Sequence, residues 1–294
     1  NQHGAQLLQR YVEQVGLEAY ERLNEGLLRA SEQGMKALVA RWPDAQVEVC
    51  DSLELPGAAP LELPLRLTVQ GDQLTIDLRG FPDAIAQPFN APKAVVLAAV
   101  FYSLRAFAGT QVAANSGLLR CVQIQTRPGS LVDPPAKAPV SAGNVETSQR
   151  LVDLLWAAFA ELGCLPVPAA SQGTMNNLLF AGTDPVHGEA FVHYETVAGG
   201  AGGGPEGPGA DAIQTHMTNT FNTPIERLEQ IFPMRVTRYA LRSAHGSAAP
   251  QPGGRGAVLE SGGVGERGRQ VEEHARHLVA QLAARQLLVA AEGV

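Results

Sequence analysis

Seven of the twelve residues from 198 to 209, AGGAGGGPEGPG, are glycine and two are proline. Neither a helix nor a strand passes through such a run. Glycine adds backbone entropy that regular structure must overcome, and proline lacks the N–H that either ladder needs. What glycine offers instead is close approach of backbone to backbone or to a ligand. Directly after it comes THMTNTFNTPIERLEQIFPMRVTRY, residues 215–239, where His216, Thr218, Asn219, Thr220, Asn222 and Thr223 precede a helical start at Pro224. Together the two segments have the composition of a site.

The residues admit two readings of each. The glycine loop either packs tightly against another chain or domain, or touches substrate. It has no Lys-Ser/Thr ending of a P-loop and no strand-helix setting of a dinucleotide fold. His216 with Asn219 and Asn222 supplies an imidazole beside two amides, groups that orient water or polarise a carbonyl. The same amides and threonines also serve to satisfy backbone groups in a turn. Glu226 and Glu229, three apart, form either a carboxylate pair or ordinary ion pairs with Arg227 or Arg235. The cluster SQGTMNN, residues 171–177, is a ligand-facing loop or a plain turn.

Around these segments the periodicity alternates between helix and strand. Leu7, Leu8, Tyr11, Val12 and Val15, then Tyr20, Leu23, Leu27 and Leu28, predict two helices broken near Gly16. Alternation from Leu63 to Leu78 around Gly71-Asp72 predicts a hairpin with one buried face. Residues 94–108 read as a buried helix, 121–126 as a short strand, and a helix capped by Asn144 carries Leu151, Leu154, Leu155, Ala158 and Phe159 to Gly163. Strands are expected at 177–180 and 190–196, an extended loop over 243–268, and a last amphipathic helix over 270–289. The expected fold is α+β, mixed helices and antiparallel hairpins with glycine-rich loops around a polar site. It divides into a helical and hairpin region, 1–140, and a site-bearing region, 141–294, or runs as one continuous domain.

Charge narrows the partners. The net charge is −7 and no Lys/Arg cluster marks a phosphate-binding face, which argues against nucleic acid and anionic membrane. Cys50, Cys121 and Cys164 show no C-x-x-C spacing, so they read as buried thiols of a reducing compartment. Without an eighteen-residue apolar run or a basic-then-apolar leader, a soluble cytoplasmic protein is expected. The histidines lack zinc-helix spacing, and the serines lack a G-x-S-x-G elbow, so neither a metal site nor a serine hydrolase is indicated.

Five strings, GAQLLQRYVEQVGLEAY (4–20), SAGNVETSQRLVD (141–153), AASQGTMNNLLF (169–180), YETVAGGAGGG (194–204) and HMTNTFNTPIERLEQIFPMRVTRY (216–239), resemble the hydantoinase B/oxoprolinase family in order. The resemblance implies the carboxy-terminal region of one half of an ATP-dependent cyclic-amide hydrolase. Its hydantoinase A-type partner binds ATP with Mg and activates the amide, and the B-type half completes ring opening, so a hetero-oligomer is expected. The resemblance then points to His216, Asn219 and Asn222 as catalytic groups and to Asn176, Asn177, Glu195, Gly199, Gly200, Thr218 and Glu226 as substrate contacts. A divalent metal is implied for carboxylase relatives, but on an upstream G-G-T-H segment that this sequence does not contain. Where relatives carry arginine in a glycine-rich motif, HGSAAPQPGGRG (245–256) has Pro252, and SGGVGERGR (261–269) resembles only a remnant of the family's last glycine-rich segment. These departures leave two alternatives, a non-catalytic structural subunit of such a complex and a subunit of an ATP-dependent ketone carboxylase.

Overall fold

The computed structural model describes residues 1–242 and 251–263, apart from the single positions 56, 111, 165 and 186. The expected helix over 270–289 lies outside the described residues, as does part of the expected loop over 243–268. Two helices, α1 (Gln2–Val15) and α2 (Leu17–Val39), meet at Gly16, whose φ of 83° is a conformation that residues with a Cβ rarely adopt. Then come strands β1 (Ala45–Leu53), β2 (Leu61–Gln70) and β3 (Gln73–Asp77), helix α3 (Lys93–Ala108), strand β4 (Val122–Gln125) and helix α4 (Ser148–Glu161). The second half has strands β5 (Asn177–Thr183) and β6 (Ala190–Thr196), helix α5 (Ile225–Ile231), and strands β7 (Met234–Leu241) and β8 (Ala257–Gly263). The fold is therefore mixed α+β.

The first four strands form one sheet in the order β1-β2-β3-β4. The hairpin turns at Gly71-Asp72, and its alternation places Leu63, Leu65, Leu67, Val69, Leu74 and Ile76 on one buried face. Two features go beyond the sequence reading. β1 is an additional strand, and β4 pairs with β3 in parallel. The parallel pairing follows from α3, which lies between these strands in sequence and provides the crossover.

Helix α4 packs on β1, on β2 and on α3, so that Leu151, Val152, Leu155, Ala158 and Phe159 join the same buried cluster as Met35, Val39 and the sheet. Fully burying each such leucine, valine, methionine or phenylalanine contributes about 1.5–3 kcal/mol. Asn144 does not cap this helix. A wide turn over Gly143–Thr147 runs directly into α4, and the Asn144 carbonyl accepts a hydrogen bond from Ser148 Oγ at 2.6 Å. The cause is tertiary: a Cβ at Gly143 would lie 2.1 Å from the carbonyl oxygen of Asn90, so the backbone of the turn sits hard against another segment.

In the second half β5 pairs with β6 and β7 with β8, each antiparallel. β8 occupies part of the stretch expected to be an extended loop. Between these hairpins runs the glycine loop, and its close contacts are with its own chain. Added Cβ atoms at Gly200 and Gly203 would meet the carbonyls of Gly254 and Gln251 at 2.3 and 2.2 Å, and one at Gly202 would meet that of Ala169 at 1.9 Å. The glycines let these backbone segments stack without side chains between them.

Candidate functional site

The site is built on one face of α4. Glu146, Gln149 and Asp153 are buried polar residues, and their spacing of three and four places them along one stripe of the helix and the turn before it. Asp153 Oδ1 lies 2.8 Å from His216 Nε2, and both side chains are almost wholly buried. Asp153 is held in turn by Ser171, whose backbone N–H donates to Oδ1 and whose hydroxyl donates to Oδ2, each at 3.0 Å. Two rings flank the imidazole edge to face: Trp156 with centroids 4.9 Å apart and Tyr102 at 5.9 Å. Burial raises the Tyr102 phenol above its ordinary range, against a hydrogen bond from the His216 backbone that lowers it. A hydrogen bond from Nε2–H to Asp153 leaves Nδ1 as the basic ring nitrogen.

His216 lines a cavity of about 250 Å³. Tyr102, Trp156, Pro168, Ala169 and Ile213 give it an apolar wall, Ser171, Gln214 and Thr215 a polar edge, and Ala201 and Gly202 bring in the glycine loop. A small ring with an apolar body and one polar edge suits this lining.

Ser171 of the SQGTMNN cluster and Gly202 of the glycine loop also line this cavity, whereas Asn219, Asn222, Asn176, Asn177, Glu195, Gly199, Gly200, Thr218 and Glu226 do not. Asn222 Nδ2 donates to the Thr196 carbonyl at 2.7 Å, and its Oδ1 accepts from Tyr239 Oη at 3.2 Å, which is backbone support rather than a free amide. Glu195 Oε1 accepts from the backbone N–H of Thr223 at 2.6 Å. Asn219 and Glu226 are exposed, while Thr218 is buried. Among the described residues Glu229 pairs with neither Glu226 nor an arginine but accepts from the Val236 N–H at 2.9 Å, near the start of β7. Asn176 has φ 52° and accepts from the Val197 N–H through its carbonyl. The side-chain oxygen of Asn177 is buried without a hydrogen-bond partner among the described residues. Gly200 donates its N–H to Gln172 Oε1 at 3.3 Å, and a Cβ on Gly199 would meet that glutamine side chain at 2.5 Å.

A second histidine–carboxylate pair lies on β6. His193 Nε2 is 3.6 Å from Glu195 Oε2, makes no hydrogen bond among the described residues, and its ring sits between Phe180 and Phe232 with centroids 4.9 Å from each. At the start of the α4 stripe, burial pushes the Glu146 carboxyl up to about 8, against the lowering effects of the Thr174 hydroxyl and the Arg150 charge. Among the described residues no group of three or more His, Cys, Asp or Glu side chains comes together to hold a metal. No helix among them is long and apolar enough to cross a membrane.

Sequence reasoning passed over Asp153, Gln149 and Glu146. Their signal was present: polar residues at helical spacing on the turns that also carry Leu151, Leu154 and Leu155.

Comparison with known proteins agrees with this architecture. The hydantoinase B/oxoprolinase family profile matches residues 1–266. 5-Oxoprolinase 1 of Arabidopsis thaliana is 32% identical over 272 residues, covering 88% of this chain and 20% of the plant protein. A putative B-type D-/L-hydantoinase subunit of Pseudomonas sp. (strain NS671) is 29% identical over 271 residues, covering 87% of this chain and 45% of that protein. The crystal structure of an ATP-dependent caprolactamase from Pseudomonas jessenii superposes with a TM-score of 0.75 at 22% identity, over 88% of this chain and 46% of that one. This chain thus spans less than half the length of each of these relatives, and it belongs to the hydantoinase B/oxoprolinase family.

Proposed function

We propose that this chain is part of the B-type component of an ATP-dependent cyclic-amide hydrolase, and that it opens the ring of a substrate activated by a hydantoinase A-type partner. The observation that carries this reading is the His216–Asp153 pair at the edge of a small, largely apolar cavity bordered by the glycine loop. Family membership supports the reaction class, and the hydantoinase relative, itself one subunit of its enzyme by name, supports a partner. ATP and its Mg belong to that partner in this scheme.

In the proposed mechanism the apolar wall of Tyr102, Trp156 and Pro168 receives the body of the ring, and its amide edge turns toward His216. Water adds to the activated carbon while His216 Nδ1 takes its proton. The same proton passes to the ring nitrogen, the adduct's hydroxyl supplies a second one as the carbon–nitrogen bond breaks, and a second water hydrolyses the resulting open-chain acyl phosphate to carboxylate and phosphate. Asp153 keeps the imidazole in the tautomer that this requires and stabilises its charged form. Such acid–base assistance contributes about 10²–10⁴ in rate.

The test is ATP hydrolysis by the complete two-component complex in the presence of lactams, hydantoins and 5-oxoproline. Stimulation by at least one cyclic amide is expected. A flat response across all of them overturns the hydrolase reading, and incorporation of labelled bicarbonate into product transfers the protein to the ketone carboxylase class.

A further inference from the structure

We propose that Gln149 is a positioning residue for His216, working as a two-ended clamp that sets the backbone from which the imidazole projects. Its side chain is fully buried, and both ends of the amide are engaged: Nε2 donates to the Thr215 carbonyl at 3.1 Å, and Oε1 accepts from the Met217 N–H at 3.3 Å. The two bonds fall on the residues immediately before and after His216. His216 itself has φ 54°, a left-handed conformation that a residue with a Cβ adopts only where its surroundings hold it. Asp153 lies one turn further along the same face of α4 and holds the ring. One helix face therefore fixes His216 twice, at the main chain through Gln149 and at Nε2 through Asp153.

The requirement is for a donor and an acceptor on one side chain. A leucine or a methionine at position 149 loses both the acceptor for Met217 and the donor for Thr215, whereas a carboxyl kept protonated by burial retains both. A buried glutamine that only filled space would tolerate methionine with little change at the histidine.

This inference rests on His216 being the base of the proposed reaction, but its test does not. The tautomer and titration of the His216 ring are read by NMR in the wild type, in Gln149→Met and in Gln149→Leu, with the resonance assigned from its absence in His216→Gln. Both position-149 variants are expected to shift the His216 titration midpoint by about half a pH unit or more and to weaken its single-tautomer signature. Asp153→Asn should act in the same direction. In the complete complex Gln149→Met should lower kcat about tenfold or more while KM stays within about twofold, the pattern of a misplaced base. A folded variant of either kind whose His216 ring titrates as in the wild type overturns the proposal, whatever its stability. If Gln149→Met does not fold, the shorter Gln149→Leu, which adds no charge and forms neither bond, decides alone. Should His216→Gln leave turnover intact while the NMR shifts appear, the assignment of the base falls and the clamp stands.

Discussion

His216 and His193 are both buried, and each has a carboxylate beside it, yet their surroundings differ in every respect that bears on chemistry. The carboxylate of Asp153 reaches His216 Nε2 at hydrogen-bond distance, is itself held by two donors from Ser171, and leaves the ring lining a cavity. The carboxylate of Glu195 stands 3.6 Å from His193 Nε2, spends its other oxygen on a backbone N–H, and the ring is enclosed by two phenylalanines. An imidazole becomes a useful base when one nitrogen is oriented and the other can meet a reacting group. In the proposed mechanism His216 meets both conditions. His193 serves as an aromatic packing residue with a polar tip.

The largest expected effect breaks or upholds this contrast directly. In the complete complex His216→Ala should lower kcat by about 10² or more, the scale of a lost general base. Melting temperature should fall only modestly, because the ring borders a cavity rather than filling the core. Turnover within about twofold of the wild type would remove His216 from the mechanism and leave its hydrogen bond to Asp153 as a structural feature.

A second effect sharpens the comparison by asking what the α4 stripe contributes apart from catalysis. Glu146 holds its proton to about 8 in the folded protein because burial disfavours its charged form, whereas an exposed glutamate ionises near 4.5. Between those values the unfolded chain has released a proton that the folded chain retains, so stability falls as pH rises from about 4.5 to about 8. A displacement of this size corresponds to a loss on the order of 5 kcal/mol across the window. Glu146→Gln, which stays neutral and can still accept from Thr174, should flatten that slope and be the more stable protein at pH 8. Urea unfolding at intervals from pH 5 to pH 8 measures both. Parallel slopes for wild type and variant would show that Glu146 is not the group concerned.

How much of this was legible in the sequence differs between scaffold and site. The hairpin at Gly71-Asp72, the break at Gly16 and the buried helix α3 were plain, because a single local period or a single glycine determines each. β1 was not: Val47 and Val49 alternate with Gln46 and Glu48, but Cys50 falls on the polar side and Asp51 on the apolar one, and the strand depends on its partner β2. The wide turn at Gly143 was hidden for the same reason, since the contact with Asn90 that causes it is long-range. In the site, residue chemistry drew notice to His216 and the glycine loop, but not to the residues that hold them. Asp153 and Gln149 belong to a helix recognised by its leucines, and reading only the apolar period assigns polar residues to solvent. The glycine loop's contacts with residues 251–256 likewise join segments about fifty positions apart, a pairing that composition cannot express.

The smallest effect is the one that isolates the second histidine. His193→Phe keeps an aromatic ring between Phe180 and Phe232 and removes a buried nitrogen that has no hydrogen-bond partner among the described residues. An unpartnered polar atom of this kind costs about 1–3 kcal/mol, so its removal offsets the strain of a slightly larger ring. Glu195 retains its bond from the Thr223 N–H, and the start of α5 remains anchored to β6. Stability should therefore stay within about 1 kcal/mol of the wild type and turnover within about twofold. Denaturant unfolding and steady-state assay of the complex give both numbers. A tenfold loss of kcat with unchanged stability would mean that the β6 pair takes part in the reaction, and the contrast between the two histidines would have to be drawn the other way.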